Sequence, residues 1–273
     1  MAIAHVYIDE YLADIVSDIT LKRSYSSVTS SASFSTPINH LAEAQAQASV
    51  VVTWNNSYLF RGVIHTYNME YKGSAISLAL ECSDESYLLA TDSRLSFEDG
   101  TYAGDAIELL LANTTISDAG VALRSTALPS DCFVFPLNSN RLDAVKSIAK
   151  GCGGLFYQQF ANLGAIAVCD TWANLLSDPD FTTTISVSDS THLVISFKRV
   201  ADPSSPSTDK ATLVIAGIPF GLFNLVNLSG LYYDMNISYT TSTWRVSDMT
   251  ISISASGVQT TATLVDPTKN LTS

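Results

Sequence analysis

Apolar and polar residues recur along this chain with two different periods, and the places where the period changes divide it. In the first ninety residues the period is two. Ile76, Leu78, Leu80 and Cys82 alternate with Ala75, Ser77, Ala79 and Glu81, which predicts a half-buried strand. His5 to Asp9 and Val16 to Tyr25 are shorter strand candidates. Val50 to Trp54 and Tyr58 to Tyr71 predict a hairpin turning at Asn55 to Ser57. Between these, after a Ser-rich stretch, Thr36 and Pro37 read as an N-cap followed by proline at the first helical position, opening a helix to about Ala48. Gly62, inside LFRGVIH, predicts a bulge or a close backbone approach.

From about Asp92 to Asp170 the pattern is mixed. Ile107, Leu110 and Leu111 form one face of a helix ending near Asn113, with Asp105 and Glu108 as a capping-box-like start. A loop-rich stretch through Pro129 and Pro136 leads to the most legible unit, Asn140 to Cys169. There Leu142, Val145, Ile148 and Ala149 share a helix face while Arg141, Asp143, Lys146 and Lys150 point away. Asn140 is placed to cap the helix, and Gly151, Gly153 and Gly154 to end it. Two strands follow, Leu155 to Phe160 and Ala165 to Cys169, around a turn at Asn162 and Gly164. A glycine cluster beside Lys150 invites a phosphate-loop reading, but such a loop needs its glycines before a helix, where free amides face the anion. These glycines come after one.

Period two returns in the last hundred residues. Leu193 to Val200, Ala211 to Ala216, Leu222 to Leu228, Leu231 to Tyr239 and Thr243 to Ser254 are strand candidates. A Pro/Ser-rich loop, ADPSSPSTDK, joins the first two. In the last strand Trp244 and Val246 share one parity and Met249, Ile251 and Ile253 the other, so a bulge is expected near Asp248. After Ser256 the pattern is weak.

Composition narrows the function more than the fold. Of 273 residues 47% are hydrophobic, enough for real cores, and only 15% are charged, with abundant Ser and Thr. That balance suits β-rich proteins whose surfaces are hydroxylated and partly covered by neighbouring subunits. Fourteen basic against 26 acidic residues, a net charge of −12, argue against binding nucleic acid, because neutralising phosphates takes Lys and Arg. The start MAIAHVYIDEYLADIV does not read as a signal peptide, and there is no apolar run of membrane-spanning length. Cys82, Cys132, Cys152 and Cys169 lack CxxC spacing and read as buried thiols, although two disulfides would be arithmetically possible.

Catalytic arrangements are scarce. His5, His40, His65 and His192 lie far apart without HxxxH or HExxH spacing, and no GxSxG elbow occurs. The acid pairs Asp84-Glu85 and Glu98-Asp99 read as solvated residues near turns, and Asp178-Pro179-Asp180 as a turn rather than a calcium loop. Trp54, Trp172 and Trp244 could stack a sugar but read more simply as packing residues. No catalytic, cofactor-binding or metal-ligating residue is assigned, and an enzyme is not expected.

N-terminal strands with LFRGVIH, then GDAIELLLAN, then LNSNRLDAVKSIAKGCGGLFYQQFANLGAIAV, then a β-rich C-terminal region form an order that resembles the baseplate hub or tail-tip hub proteins of tailed phages and related contractile injection systems. The fold class expected is α+β, mainly β. Residues 1–92 would be an N-terminal β-barrel-like domain, 93–172 a small α/β domain and 173–273 a C-terminal β domain forming a second barrel. The resemblance implies a homotrimer whose six barrels make a pseudo-sixfold ring, joining a sixfold tail tube or distal tail protein to a threefold central spike. It also implies contact with a tape-measure protein and a channel through which DNA passes without specific binding. Such a protein resides in the virion tail after assembly in the host cytoplasm. Leu59 to Tyr71 and Leu231 to Ser254 are the candidate ring strands, with Phe60, Arg61, Val63, His65, Tyr67, Tyr232, Tyr239 and Trp244 as inter-subunit residues. An acidic lumen repelling DNA would fit the charge. The alternatives are a secreted or surface β-rich adhesion or carbohydrate-binding module, and a hydrolase built from distant carboxylates.

Overall fold

The computed structural model of the chain describes residues 4–24, 27–90, 95–112, 114, 116–121, 123, 126–136, 139–161, 164–171, 182–186, 193–200, 210–230 and 242–267. The fold is α+β and mainly β. Its contacts define two compact units, one of Met1–Ser17 and Val28–Leu175, the other of Asp18–Ser27 and Leu176–Leu271.

The first unit holds β1 (Ala4–Ile8), β2 (Tyr11–Ala13), β4 (Ser27–Pro37), β5 (Ser49–Trp54), β6 (Ser57–Lys72) and β7 (Ala75–Asp84), while β3 (Ile19–Ser24) belongs to the second. The strand order β4-β7-β6-β5-β1-β2 is antiparallel at every pairing. Two-residue turns close its hairpins. Asp9-Glu10 and Asn55-Asn56 all have positive φ, the mirror-image geometry that matches strand twist and that Asn and Asp tolerate best.

Closed barrels do not form from these ladders. Among the described residues no ladder joins β2 to β4; past the end of β2, Val16 N–H donates to the Ser35 carbonyl at 2.9 Å and Ser35 N–H to Ser17 Oγ at 2.8 Å. Among the described residues β2 pairs with β1 alone and ends the strand order.

The Ser-rich stretch is the 11-residue strand β4, and the predicted helix after Thr36 is absent. Thr36 pairs with Leu78 and Pro37 with Ser77, so the strand runs through the expected cap. Only a 3-10 turn, Ile38–His40, follows, and the Ala-rich segment tucks Ala44 and Ala48 into the core as a loop.

The middle of the chain has a core of its own, built around Leu89, Ile107, Leu110, Leu123, Val145 and Ile148. Helix α1 (Ala103–Leu111) is capped by Tyr102 without a side-chain bond, so the capping box at Asp105 is not formed. Its first amides are met instead by tertiary carbonyls: Ala103 N–H bonds Thr126 O and Gly104 N–H bonds Leu123 O. Helix α2 (Arg141–Gly151) follows the sequence closely. Asn140 Oδ1 accepts from Asp143 N–H at 2.7 Å, and Asn140 Nδ2 donates to Asp143 Oδ2 at 2.7 Å. Replacing Asn140 by Ala is expected to lower stability by about 1 kcal/mol, read from the denaturant midpoint. Strands β8 (Ser117–Val121), β9 (Gly154–Ala161) and β10 (Gly164–Thr171) form a three-stranded sheet, β8 parallel to β10.

The second unit contains β3, β11 (Thr182–Ser186), β12 (Val194–Val200), β13 (Lys210–Ala216), β14 (Leu225–Ser229), β15 (Ser242–Ser254) and β16 (Gly257–Val265). Its sheet runs β12-β13-β16-β15-β3, with β14 also on β15 and β11 parallel to β14. The weakly patterned tail is a central strand: Thr260, Ala262, Leu264 and Val265 of β16 are buried. Its Thr260 hydroxyl donates to Gly217 O at 2.5 Å, so a polar residue fits the core face. The bulge expected near Asp248 lies between Val246 and Asp248. The strand Leu231 to Tyr239, the Asp178-Pro179-Asp180 turn, Trp172, His192 and nearly all of the ADPSSPSTDK loop fall outside the described residues.

Candidate assembly surfaces

Each unit turns one face of its sheet inward and the other outward, and the outward faces are chemically alike. In the first unit the cross-strand rows are Ser31–Ser83, Ser33–Glu81–Thr66 and Ser35–Ala79–Asn68. In the second they are Ser24–Asp248–Thr263–Thr212, Lys22–Thr250–Thr261–Val214 and Thr20–Ser252–Gln259–Ala216. Behind them Phe34, Leu78 and Leu80, and Leu21, Ile251 and Ile215, are buried. A period of two produces both results at once: hydrophobes to one side, hydroxyls to the other. The few charges are partly spent, Glu81 accepting from Thr66 Oγ1 at 3.1 Å and Asp248 from Ser24 Oγ. The net charge of −12 is not concentrated here.

Apolar side chains left in solvent mark a different surface. On β6 and β7 the buried face runs outward into Tyr67, Met69, Tyr71 and Ile76, exposed at 38%, 51%, 69% and 38%. Tyr67 stands opposite the buried Leu80, Met69 opposite the buried Leu78, and Tyr71 opposite Ile76, so the stripe continues the core past its edge. In the second unit Leu193, Ile195 and Val200 are exposed on or beside β12. Periodicity could not separate these from core residues, because both carry the same alternation.

The candidate inter-subunit residues divide sharply. Phe60, Val63 and Trp244 are buried within their own units. Trp244 packs edge-on against Phe197 and lies under the Arg199 guanidinium, 5.5 Å from its ring centroid. His65 and Tyr67 are exposed, His65 being the unpaired residue of a bulge between Ile64 and Thr66, with its ring edge-on to Tyr87 at 4.8 Å. Arg61 Nε donates to Glu85 Oε1 at 2.7 Å. Tyr232 and Tyr239 fall outside the described residues.

Asp84 and Glu85 are not solvated. Both are buried, because Asp84 ends β7 and caps the 3-10 turn Glu85–Leu89, while Glu85 turns back to Arg61. Asp84 accepts from Ser30 N–H at 2.5 Å, from Ser86 N–H at 3.1 Å and from the Ser86 hydroxyl. Burial pushes its carboxyl up to about 6 against these bonds. A raised acid beside a second acid would suit general acid catalysis, but Asp84 is fully enclosed and cannot reach a substrate. Gly62 packs against the same residue. A Cβ on it would lie 2.1 Å from Ser83 O and 2.8 Å from Asp84 Cα, so this glycine serves close approach, and the nearby bulges fall on either side of it.

Cys82, Cys132 and Cys152 are free thiols. Burial pushes Cys82 up to about 12 and Cys132 up to about 11, far from a reactive thiolate. No group of metal-ligating side chains occurs among the described residues, and none of their helices is long and apolar enough to cross a membrane.

These features define a mainly β chain with one-sided sheets and exposed apolar stripes, and the fold is that of phage tail proteins. A tail protein from Neisseria meningitidis MC58 superposes with a TM-score of 0.71 over 99% of this chain and 98% of its own, at 12% identity. The 43 kDa tail protein of prophage MuSo2 from Shewanella oneidensis gives 0.69 over 98% and 99%, at 9% identity. The E. coli c3393 protein gives 0.66 over 97% of this chain and 77% of its own, at 9% identity; it is a type VI secretion component with structural similarity to the T4 tail proteins gp27 and gp5. The tail-hub resemblance read from the sequence therefore holds at the level of fold. No protein-family model and no curated protein matches the sequence.

Proposed function

We propose that this chain is a non-enzymatic structural subunit of a phage tail tip or baseplate, a hub that trimerises into a ring between tail tube and central spike. The observation that carries this reading is a shared fold over nearly the full length of two tail proteins. Its place is then the virion tail, and its function resides in surfaces between chains. The division into 1–92, 93–172 and 173–273 is part of the proposal, supported by the separate core of the middle segment.

In this reading the two hydroxylated faces line the channel. Ser and Thr offer no cationic grip to a passing polyanion, so DNA would move through without being held. Repulsion by an acidic lumen loses its support, since acids are sparse on both faces. With Phe60, Val63 and Trp244 buried, the subunit contacts fall to His65, Tyr67, Met69, Tyr71 and Ile76 on one side and Leu193, Ile195 and Val200 on the other.

Native mass spectrometry tests this directly. The expected species is three times the 29.3 kDa chain, and Met69→Asp with Tyr71→Asp should leave folded monomer. Monomer alone at tens of micromolar would remove the homotrimer from the reading.

A further inference from the structure

On the first unit a groove of about 490 Å³ lies over β1, β5 and β6, and the assembly surfaces above do not use it. Its base is set by register: Tyr7 stands opposite Val51 and Val51 opposite Arg61, with Thr53 opposite Tyr58 on the neighbouring row. Glu10 and Asn56 line it from turns at opposite ends of the strands. The groove therefore follows the strand direction, with a tyrosine from each outer strand and polar groups at both ends.

We propose that this groove binds a neutral oligosaccharide. Charge argues against an anion, since the Arg61 cation is already matched by Glu85 and Glu10 adds a further acid. Apolar ligands fit poorly, because Val51 is the single aliphatic side chain among tyrosines, hydroxyls, an amide and two charges. What remains is a ligand with C–H faces for aromatic rings and adjacent hydroxyls for planar polar side chains. Tyr7 and Tyr58 supply the rings. Arg61, Asn56 and Glu10 supply paired donors and acceptors that span neighbouring hydroxyls.

The site is also built to hold its shape. Glu85 is buried and accepts from Arg61 Nε at 2.7 Å, which holds the guanidinium in place at the groove that Arg61 lines. Strands rather than loops carry Tyr7, Val51, Thr53, Tyr58 and Arg61, so little ordering is needed on binding.

The test uses the full chain on an array of neutral hexose, N-acetylhexosamine and deoxyhexose oligosaccharides beside sialylated and sulfated ones, with hits measured by titration calorimetry. At least one neutral oligosaccharide should bind. Tyr58→Ala and, separately, Asn56→Ala should weaken it at least tenfold while the melting temperature stays within a few degrees. Arg61→Lys, which keeps the charge beside Glu85 but loses the fork, should weaken it as well. Binding of none of the neutral sugars, preference for the anionic ones, or binding untouched by Tyr58→Ala would each overturn the proposal. So would a structure of the assembled particle with a neighbouring polypeptide filling the groove. Trimer and monomer are equally able to pass or fail this test, so its result is separable from that of the ring.

Discussion

Gly62→Ala is expected to destabilise the first unit by about 3 kcal/mol. The reason is what the methyl would meet. Its nearest neighbours are Ser83 O at 2.1 Å and Asp84 Cα at 2.8 Å, both backbone atoms of the paired strand, and Phe60 Cζ at 2.8 Å from within the core. A side-chain tip could rotate away, but the backbone cannot move without parting β6 from β7 where Gly62 pairs with Asp84. Phe60 is fully buried and has no free space to enter. The matched comparison is Gly73→Ala in the β6–β7 turn. There φ is +64° with open space around the Cβ position, so the cost is backbone strain alone, about 1 kcal/mol. Urea unfolding of both variants should therefore give a much larger midpoint shift for Gly62. Equal shifts would mean that the sheet tolerates separation at this row and that the close approach is not structural.

How much of this was legible in the sequence depends on whether local pattern or tertiary context decides an element. Helix α2 was readable because cap, apolar face and glycine stop all agree within fourteen residues, Asn140 to Gly153. β7 was readable from strict alternation. β4 and β16 were not, since Ser and Thr occupy their outward positions and small or hydroxylated residues such as Ala32, Thr36 and Thr260 occupy their inward ones. Low hydrophobic contrast hides a strand that its neighbours nevertheless impose. The helix expected after Pro37 failed for the same reason: a good N-terminal signal lost to pairing with β7. Site residues divide similarly. The ring-strand candidates came from the resemblance, and alternation does not tell the buried Phe60 from the exposed Tyr67, because the core ends partway along β6. The groove was invisible, as Tyr7, Val51 and Arg61 meet only through strand register.

Asp84 carries the second large effect, a dependence of stability on pH whose sign is opposite to that of an ordinary paired carboxylate. Burial raises its folded pKa from 3.8 to about 6. Between those values the folded chain retains a proton that the unfolded chain has released, so stability contributed by this group falls as pH rises from about 4 to about 6. Above that range the loss is complete and constant. A displacement of about two units corresponds to about 3 kcal/mol. The three bonds from Ser30 and Ser86 oppose the shift, which is why the carboxylate is tolerated at all at neutral pH. Asp84→Asn removes the titration but exchanges one acceptor oxygen for an amide that must face either the Ser30 or the Ser86 N–H. Denaturant midpoints from pH 4 to pH 8 should therefore fall more steeply in the native chain than in the variant across pH 4 to 6, and run parallel above it. Asp84→Ala leaves both backbone donors buried without a partner and should be less stable at every pH. Indistinguishable slopes for the native chain and Asp84→Asn would show that Asp84 titrates near its unfolded value, and that the junction of β4, β7 and the 3-10 turn holds its charge at little cost.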